Sequence, residues 1–281
     1  MTPTLLLPKN LIPYVGQHDV LIFDASGGPE AYKKYRVHHV PGAHFVDLEA
    51  ELSQKKESTA DGGRHPLPDP ATFGKTLGKL GIKKNTHVVI YDDKAGANAA
   101  ARFWWMLKAA GHDNVSVVNG GLKAIQAEGI ELSDHVVERN PVEDYSFKGW
   151  LLPIADMDEV DRARENPEAL VIDVREAYRY NGESEPIDLV AGHIPGAINI
   201  PFPSNLNEEG FYEAADTLRE KYQAVIGNRK SENVIVHCGS GVTACHTLLA
   251  LEEAGIKNAK LYVGSWSEWS RNEKPMTTTN N

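Results

Sequence analysis

VLIFDAS at residues 20–26 and ALVIDVR at residues 169–175 decide how this chain is read, because the stretches downstream of the two are alike as well. The first leads to HHVPGAHFVDL at 38–48, the second to AGHIPGAINIP at 191–201. Further outward, LGIKKNTHVVIYDD at 80–93 answers RKSENVIVHCGS at 229–240, and VVNGGLKAI at 117–125 answers LYVGSWSEW at 261–269. Four landmarks recur in one order at a spacing of about 150 residues, which marks a duplicated unit.

Each copy alternates short apolar runs with stretches of helical character. The runs 20–23, 88–91 and 115–118, then 170–172, 234–237 and 260–263, are apolar almost throughout, as parallel strands buried on both faces are. Strands alternating with helices imply an α/β layer fold. The expectation is two tandem domains, each a mainly parallel sheet flanked by helices. Helices are expected over 97–109, stopped by Gly111, and over 242–254, stopped by Gly255, since glycine just past the last turn is a common terminator. RNPVEDYSFKG at 139–149 carries a proline, mixed charges and no periodicity, and reads as the connection. The expected domains are therefore 1–140 and 150–281, with 141–149 as linker.

The 281 residues include 29 basic and 39 acidic side chains, a formal net charge of −10. That balance argues against a broad nucleic-acid or anionic-membrane surface, which needs clustered lysine and arginine. The first residues lack a basic leader before their apolar run, so they read poorly as a signal peptide. No apolar stretch reaches the roughly 20 residues of a membrane span. Two cysteines, Cys238 and Cys245, make no disulfide framework, and a cytoplasmic location is expected.

At matching positions after the VVIY and VIVH runs the copies differ in kind: DDKAGANAAAR in the first, HCGSGVTACH in the second. Ligands of open α/β sheets bind outside the carboxyl ends of the strands. Gly239 and Gly241 allow the backbone to curl with its N–H groups inward, and the following helix adds its positive end. Such a cradle favours a thiolate over a thiol, which makes Cys238 the candidate nucleophile. Cys245, within the expected helix, reads as packing. A phosphatase-like loop would carry arginine at the sixth position after the cysteine to clamp phosphoryl oxygens; here that position is Ala244. Motifs for metal, dithiol or nucleotide chemistry are absent, and no cofactor or metal is expected. The eleven histidines are scattered apart from the adjacent His38 and His39, and most read as surface or core residues.

HVPGA at 39–43, HIPGA at 193–197, DVR at 173–175, CGSGVTA at 238–244 and GSWSEW at 264–269 together resemble the tandem rhodanese-like sulfurtransferases over nearly the whole chain. In that family the first domain lacks the cysteine that the second keeps, which fits Asp92 opposite Cys238. The CGSGVT loop is similar to that of 3-mercaptopyruvate sulfurtransferases, whereas thiosulfate-preferring members carry cationic side chains in the loop. The resemblance implies transfer of a sulfane sulfur from 3-mercaptopyruvate, through a persulfide on Cys238, to a thiol such as thioredoxin or to cyanide. The alternatives are thiosulfate as donor, and a carrier that holds a persulfide without turning over a small donor.

The same resemblance implies that Gly239, Gly241, Val242 and Thr243 line the loop, that Arg179 holds the substrate anion and that Arg175 braces the domain near Asp173. It makes Ser240 part of a proton relay with a histidine of the first domain, matched to His39. The relay's acid is not matched by motif, and Glu30 is the nearest upstream candidate. Arg102, on the helix after the blank loop, is expected to face a cleft between the domains and contribute to substrate binding. A second arginine common in mercaptopyruvate enzymes, before the HIPGA turn, is missing from EPIDLVAG at 185–192.

Overall fold

The apolar runs of each repeat become the strands of a five-stranded parallel sheet. In the first unit these are β1 (Leu5–Leu6), β2 (Val20–Asp24), β3 (His44–Phe45), β4 (His87–Tyr91) and β5 (Val115–Val118), laid side by side as β1-β5-β4-β2-β3. In the second, β6 (Ile154–Ala155), β7 (Leu170–Asp173), β8 (Ile198–Asn199), β9 (Val234–His237) and β10 (Lys260–Tyr262) take the same order, β6-β10-β9-β7-β8. All strand pairs are parallel. The structure is a computed structural model and describes residues 2–279.

Central strands buried along their whole length need cover on both faces, and the helices supply it. The first unit has α1 (Ala31–Tyr35), α2 (Pro70–Lys79), α3 (Ala100–Ala109) and α4 (Gly121–Ala127); the second has α5 (Met157–Ala163), α6 (Ala177–Tyr180), α7 (Ala215–Ile226), α8 (Thr243–Glu253) and α9 (Ser265–Trp269). Nearly every residue of α3 is buried, Trp104 and Trp105 included, which is the behaviour of a helix that is apolar all round. Separate cores result. Ile22, Val40, Val89, Tyr91, Val118 and Ile125 pack in the first unit; Val160, Val171, Ile194, Ile235, Tyr262, Trp266 and Trp269 pack in the second. Among the described residues no helix is long and apolar enough to cross a membrane.

The units depart from the expected boundaries in two ways. The first comprises Met1–Gln54, Pro68–Leu151 and Glu208–Phe211, and the second Lys55–Leu67, Leu152–Asn207 and Tyr212–Asn281. Residues 141–149 are not a free linker but are docked on the first unit, where Val142 N–H donates to Gly78 O (2.9 Å) and Tyr145 N–H to Gly74 O (3.0 Å), both on α2. Lys55–Leu67, from the first half of the sequence, belongs to the second unit. That exchange decides the composition of the site.

Candidate active site

In the second sheet β7 and β9 pair in register up to Asp173 and His237, so Cys238 is the first residue beyond the strand. From β7 the chain continues to β8 on one side, and from β9 to β10 on the other. Cys238 thus stands at the reversal point of the sheet, where the carboxyl ends open a crevice. Its loop is tied down from outside: Cys238 N–H donates to Ser265 Oγ (3.2 Å), Cys238 O accepts from Trp266 N–H (3.0 Å) and Gly239 O from Ser267 N–H (2.8 Å). Gly241 has φ +75°, a left-handed conformation that a side chain would strain. α8 starts at Thr243, two residues later. Cys238 is only 3 % exposed. Cys245 is buried in α8, its thiol donating to Gly241 O (3.4 Å).

The first unit shows what this loop does with an anion already in it. β2 and β4 pair up to Asp24 and Tyr91, which puts Asp92 in the place of Cys238. Its carboxylate Oδ1 accepts from the N–H groups of Lys94 (2.9 Å) and Gly96 (2.8 Å), and Oδ2 from those of Asn98 (3.0 Å) and Ala100 (3.2 Å). Four backbone dipoles converge on one buried group, the arrangement of an anion nest. Burial nevertheless pushes the Asp92 carboxyl up to about 6, against those hydrogen bonds. The loop of the first unit is filled by its own side chain; that of the second carries sulfur instead.

Above the second loop the segment Lys55–Leu67 delivers two side chains. It is held on α9 by Gly62 N–H to Glu268 Oε1 (2.7 Å) and Arg64 N–H to Ser267 Oγ (3.0 Å). His65 Nδ1 then lies 2.8 Å from Ser240 Oγ, within the Cys238 loop, and both residues are buried. A β-carbon placed on Gly239 would lie 2.9 Å from Arg64 Nη2, 3.2 Å from Arg179 Nη2 and 3.5 Å from Asp188 Oδ2, so glycine there leaves room for a charged canopy beside the thiol. Arg179, on α6, is held by Glu185, its Nε 3.0 Å from both carboxylate oxygens. Burial works against the guanidinium charge, but Glu185 more than offsets it and raises the Arg179 pKa above its ordinary value. Arg175 sits behind: its Nε and Nη2 donate to Asp173 (Nη2 to Oδ2, 2.6 Å) and Nη2 also to Gly192 O (2.6 Å). Burial would raise the Asp173 carboxyl, yet the Arg175 guanidinium holds it below the usual range. Among the described residues no group of three or more His, Cys, Asp or Glu is placed to hold a metal ion.

Of the residues expected from sequence, Cys238, Gly239, Ser240, Gly241, Val242 and Thr243 share this loop and helix start, and Arg179 lies over it. His39 does not join them. It is 0 % exposed in the first unit, with Nδ1 2.6 Å from Tyr35 O and Nε2 3.1 Å from His135 O, and its ring stacks on Tyr35. Its counterpart His193 does the same, with Nδ1 2.8 Å from Tyr180 O and its ring stacked on Tyr180. Both histidines brace the turn before PGA, and the partner of Ser240 is corrected to His65. Glu30 is exposed and pairs with Lys33 (3.0 Å) at the surface. Arg102 is wholly buried on α3 of the first unit. Sequence reasoning missed Arg64 and His65. Their one signal was an adjacent arginine and histidine after a glycine pair, in GGRHP at 62–66.

The chain is similar to known proteins over most of its length. The family model for the rhodanese-like domain matches twice, over residues 8–128 and 156–272. A probable 3-mercaptopyruvate sulfurtransferase of Pseudomonas aeruginosa is 38% identical over 270 residues, 94% of this chain and 94% of its own. A thiosulfate sulfurtransferase of Rattus norvegicus is 37% identical over 91% of this chain and 86% of its own. Among solved structures, the 3-mercaptopyruvate sulfurtransferase from Leishmania major superposes with a TM-score of 0.81 at 30% identity, over 95% of this chain and 74% of that one.

Proposed function

Because this chain belongs to the rhodanese-like family, with two copies of the domain in tandem, and is a sulfurtransferase, we propose that its donor is 3-mercaptopyruvate and that Cys238 carries the sulfur as a persulfide. The observation that carries this reading is the hydrogen bond between Ser240 and His65 within the Cys238 loop. Thiosulfate releases sulfite, which needs no proton on carbon. Mercaptopyruvate releases the enolate of pyruvate, which does.

The Cys238 thiolate attacks the donor sulfur, the S–S bond forms and the C–S bond breaks, with its electron pair passing into the enolate. Ser240 and His65 supply a proton to C3, giving pyruvate, and the donor's own S–H proton stays with the persulfide or returns to the pair. Positioned acid–base groups of this kind contribute about 10²–10⁴-fold. Arg179 and Arg64 hold the donor carboxylate. The outer sulfur then passes to an acceptor thiol such as thioredoxin, or to cyanide, restoring Cys238. The Asp92 nest supports the idea that the loop N–H groups stabilise the sulfur anion, since the equivalent loop offers four donors to one carboxylate. A cytoplasmic location is part of the same reading.

Intact-mass measurement before and after each donor tests it together with donor-resolved kinetics. One sulfur atom is expected on the wild-type protein and none on Cys238→Ser, which is expected to lose transfer with every donor. A thiosulfate kcat/KM above the mercaptopyruvate value would overturn the donor assignment. Thiosulfate remains the second reading because the arginine common before the HIPGA turn of mercaptopyruvate enzymes is missing from EPIDLVAG and a thiosulfate sulfurtransferase is 37% identical to this chain.

A further inference from the structure

Asp188 is out of character with its surroundings. Its neighbours in the chain, Ile187 and Leu189, are 53 % and 69 % exposed, yet its own carboxylate is 0 % exposed. Glu185 turns the segment by accepting the N–H groups of Ile187 (3.0 Å) and Asp188 (3.1 Å). Three guanidinium groups then close on Asp188. Arg64 reaches it through Nε (3.1 Å) and Nη2 (3.4 Å), Arg179 through Nη2 (3.4 Å) and Arg271 through Nη1 (3.2 Å). Two of these arginines and Asp188 itself crowd the β-carbon position of Gly239, the residue next to the nucleophile.

Resting on the sulfurtransferase reading, we propose that the Arg64–Asp188 pair selects the donor by charge. Arg64 supplies the second cation that EPIDLVAG lacks, and Asp188 removes one unit of positive charge from the arginines that meet the donor. With Arg64, Arg179 and Arg271 set against Asp188 and Glu185, one net positive charge remains, which suits a donor with one negative charge, such as the carboxylate of 3-mercaptopyruvate. The dianion thiosulfate is disfavoured, because Coulomb interaction scales with the charge product and each change at Asp188 acts on it twice as strongly. Arg64 is 26 % exposed at the side chain and so open to a donor, whereas Asp188 is enclosed.

The test uses the full chain in wild-type, D188N, R64Q and R64Q/D188N forms. kcat/KM is measured with 3-mercaptopyruvate and with thiosulfate; separately, pyruvate and sulfate, one charge and two, are titrated calorimetrically with no donor present. D188N is expected to shift the kcat/KM ratio towards thiosulfate at least tenfold, mainly through KM, and to tighten sulfate relative to pyruvate by a similar factor. Both shifts shrink at high salt. R64Q is expected to move both ratios the other way, and the double variant to return them to within threefold of wild type. A shift below threefold in a D188N protein with native circular dichroism overturns the proposal. Should D188N not fold, an R64Q protein that weakens sulfate and pyruvate equally overturns it by itself. A wild-type protein that accepts sulfur from neither donor would defeat the sulfurtransfer reading instead, and the two anion titrations would still decide what Asp188 does.

Discussion

An imidazole that shares a hydrogen with a hydroxyl can pass a proton, whereas one that faces two carbonyl oxygens is a brace. His65 is the first kind and His39 the second. Replacing His65 by asparagine is expected to lower kcat with 3-mercaptopyruvate by about 10²-fold and to leave the midpoint of thermal unfolding nearly unchanged. Replacing His39 by asparagine is expected to leave kcat per folded molecule intact and to cost about 1–3 kcal/mol of stability, because a buried carbonyl loses its donor. Steady-state kinetics and urea denaturation on the two variants separate the roles. The Cys238 loop was legible because cysteine, glycines, serine and helix start are neighbours in sequence. His65 was not, since only the fold brings it to Ser240, and repeat symmetry pointed to His39 while His193 shows that this position is a scaffold.

At the scale of elements, one loop shape serves two ends. After β9 it presents sulfur; after β4 it is closed by Asp92. Since burial raises the Asp92 carboxyl to about 6, the native state binds a proton more readily than the unfolded chain, and this group's contribution to stability falls as pH rises from about 4 through 6. Relative to Asp92→Asn, the wild-type protein is therefore expected to gain stability as pH drops from 7 towards 4, by about 1.4 kcal/mol per unit of pKa difference. Denaturant melts of both proteins across that range check it; a flat difference would mean that the carboxylate stays ionised in its nest. The central strands could be read because burial on both faces leaves an unbroken apolar run. The edge strands β1, β3, β6 and β8, two residues each, are too short to carry a pattern.

For the whole molecule, the buried histidines are expected to make acid destabilising. Burial lowers the pKa of His44, His87, His112, His193 and His237 below the ordinary value. Below about pH 6.5 the unfolded chain takes up protons that the native state refuses, so stability is full above that pH and declines beneath it. Urea melts of the Asp92→Asn protein, which lacks the opposite drift of Asp92, should give a falling midpoint from pH 7.5 through 6.5 to 5.5. The duplication and the parallel character of the sheets were open to sequence reasoning, because repeated landmarks survive as strings. The exchange of Lys55–Leu67 into the second unit was not, since a loop without periodicity gives no sign of which core it joins. A gene fragment opening at codon 152 would encode Cys238 without the His65 that meets Ser240 and without the Arg64 beside Gly239, so the second half of the sequence does not by itself carry the whole surroundings of its cysteine.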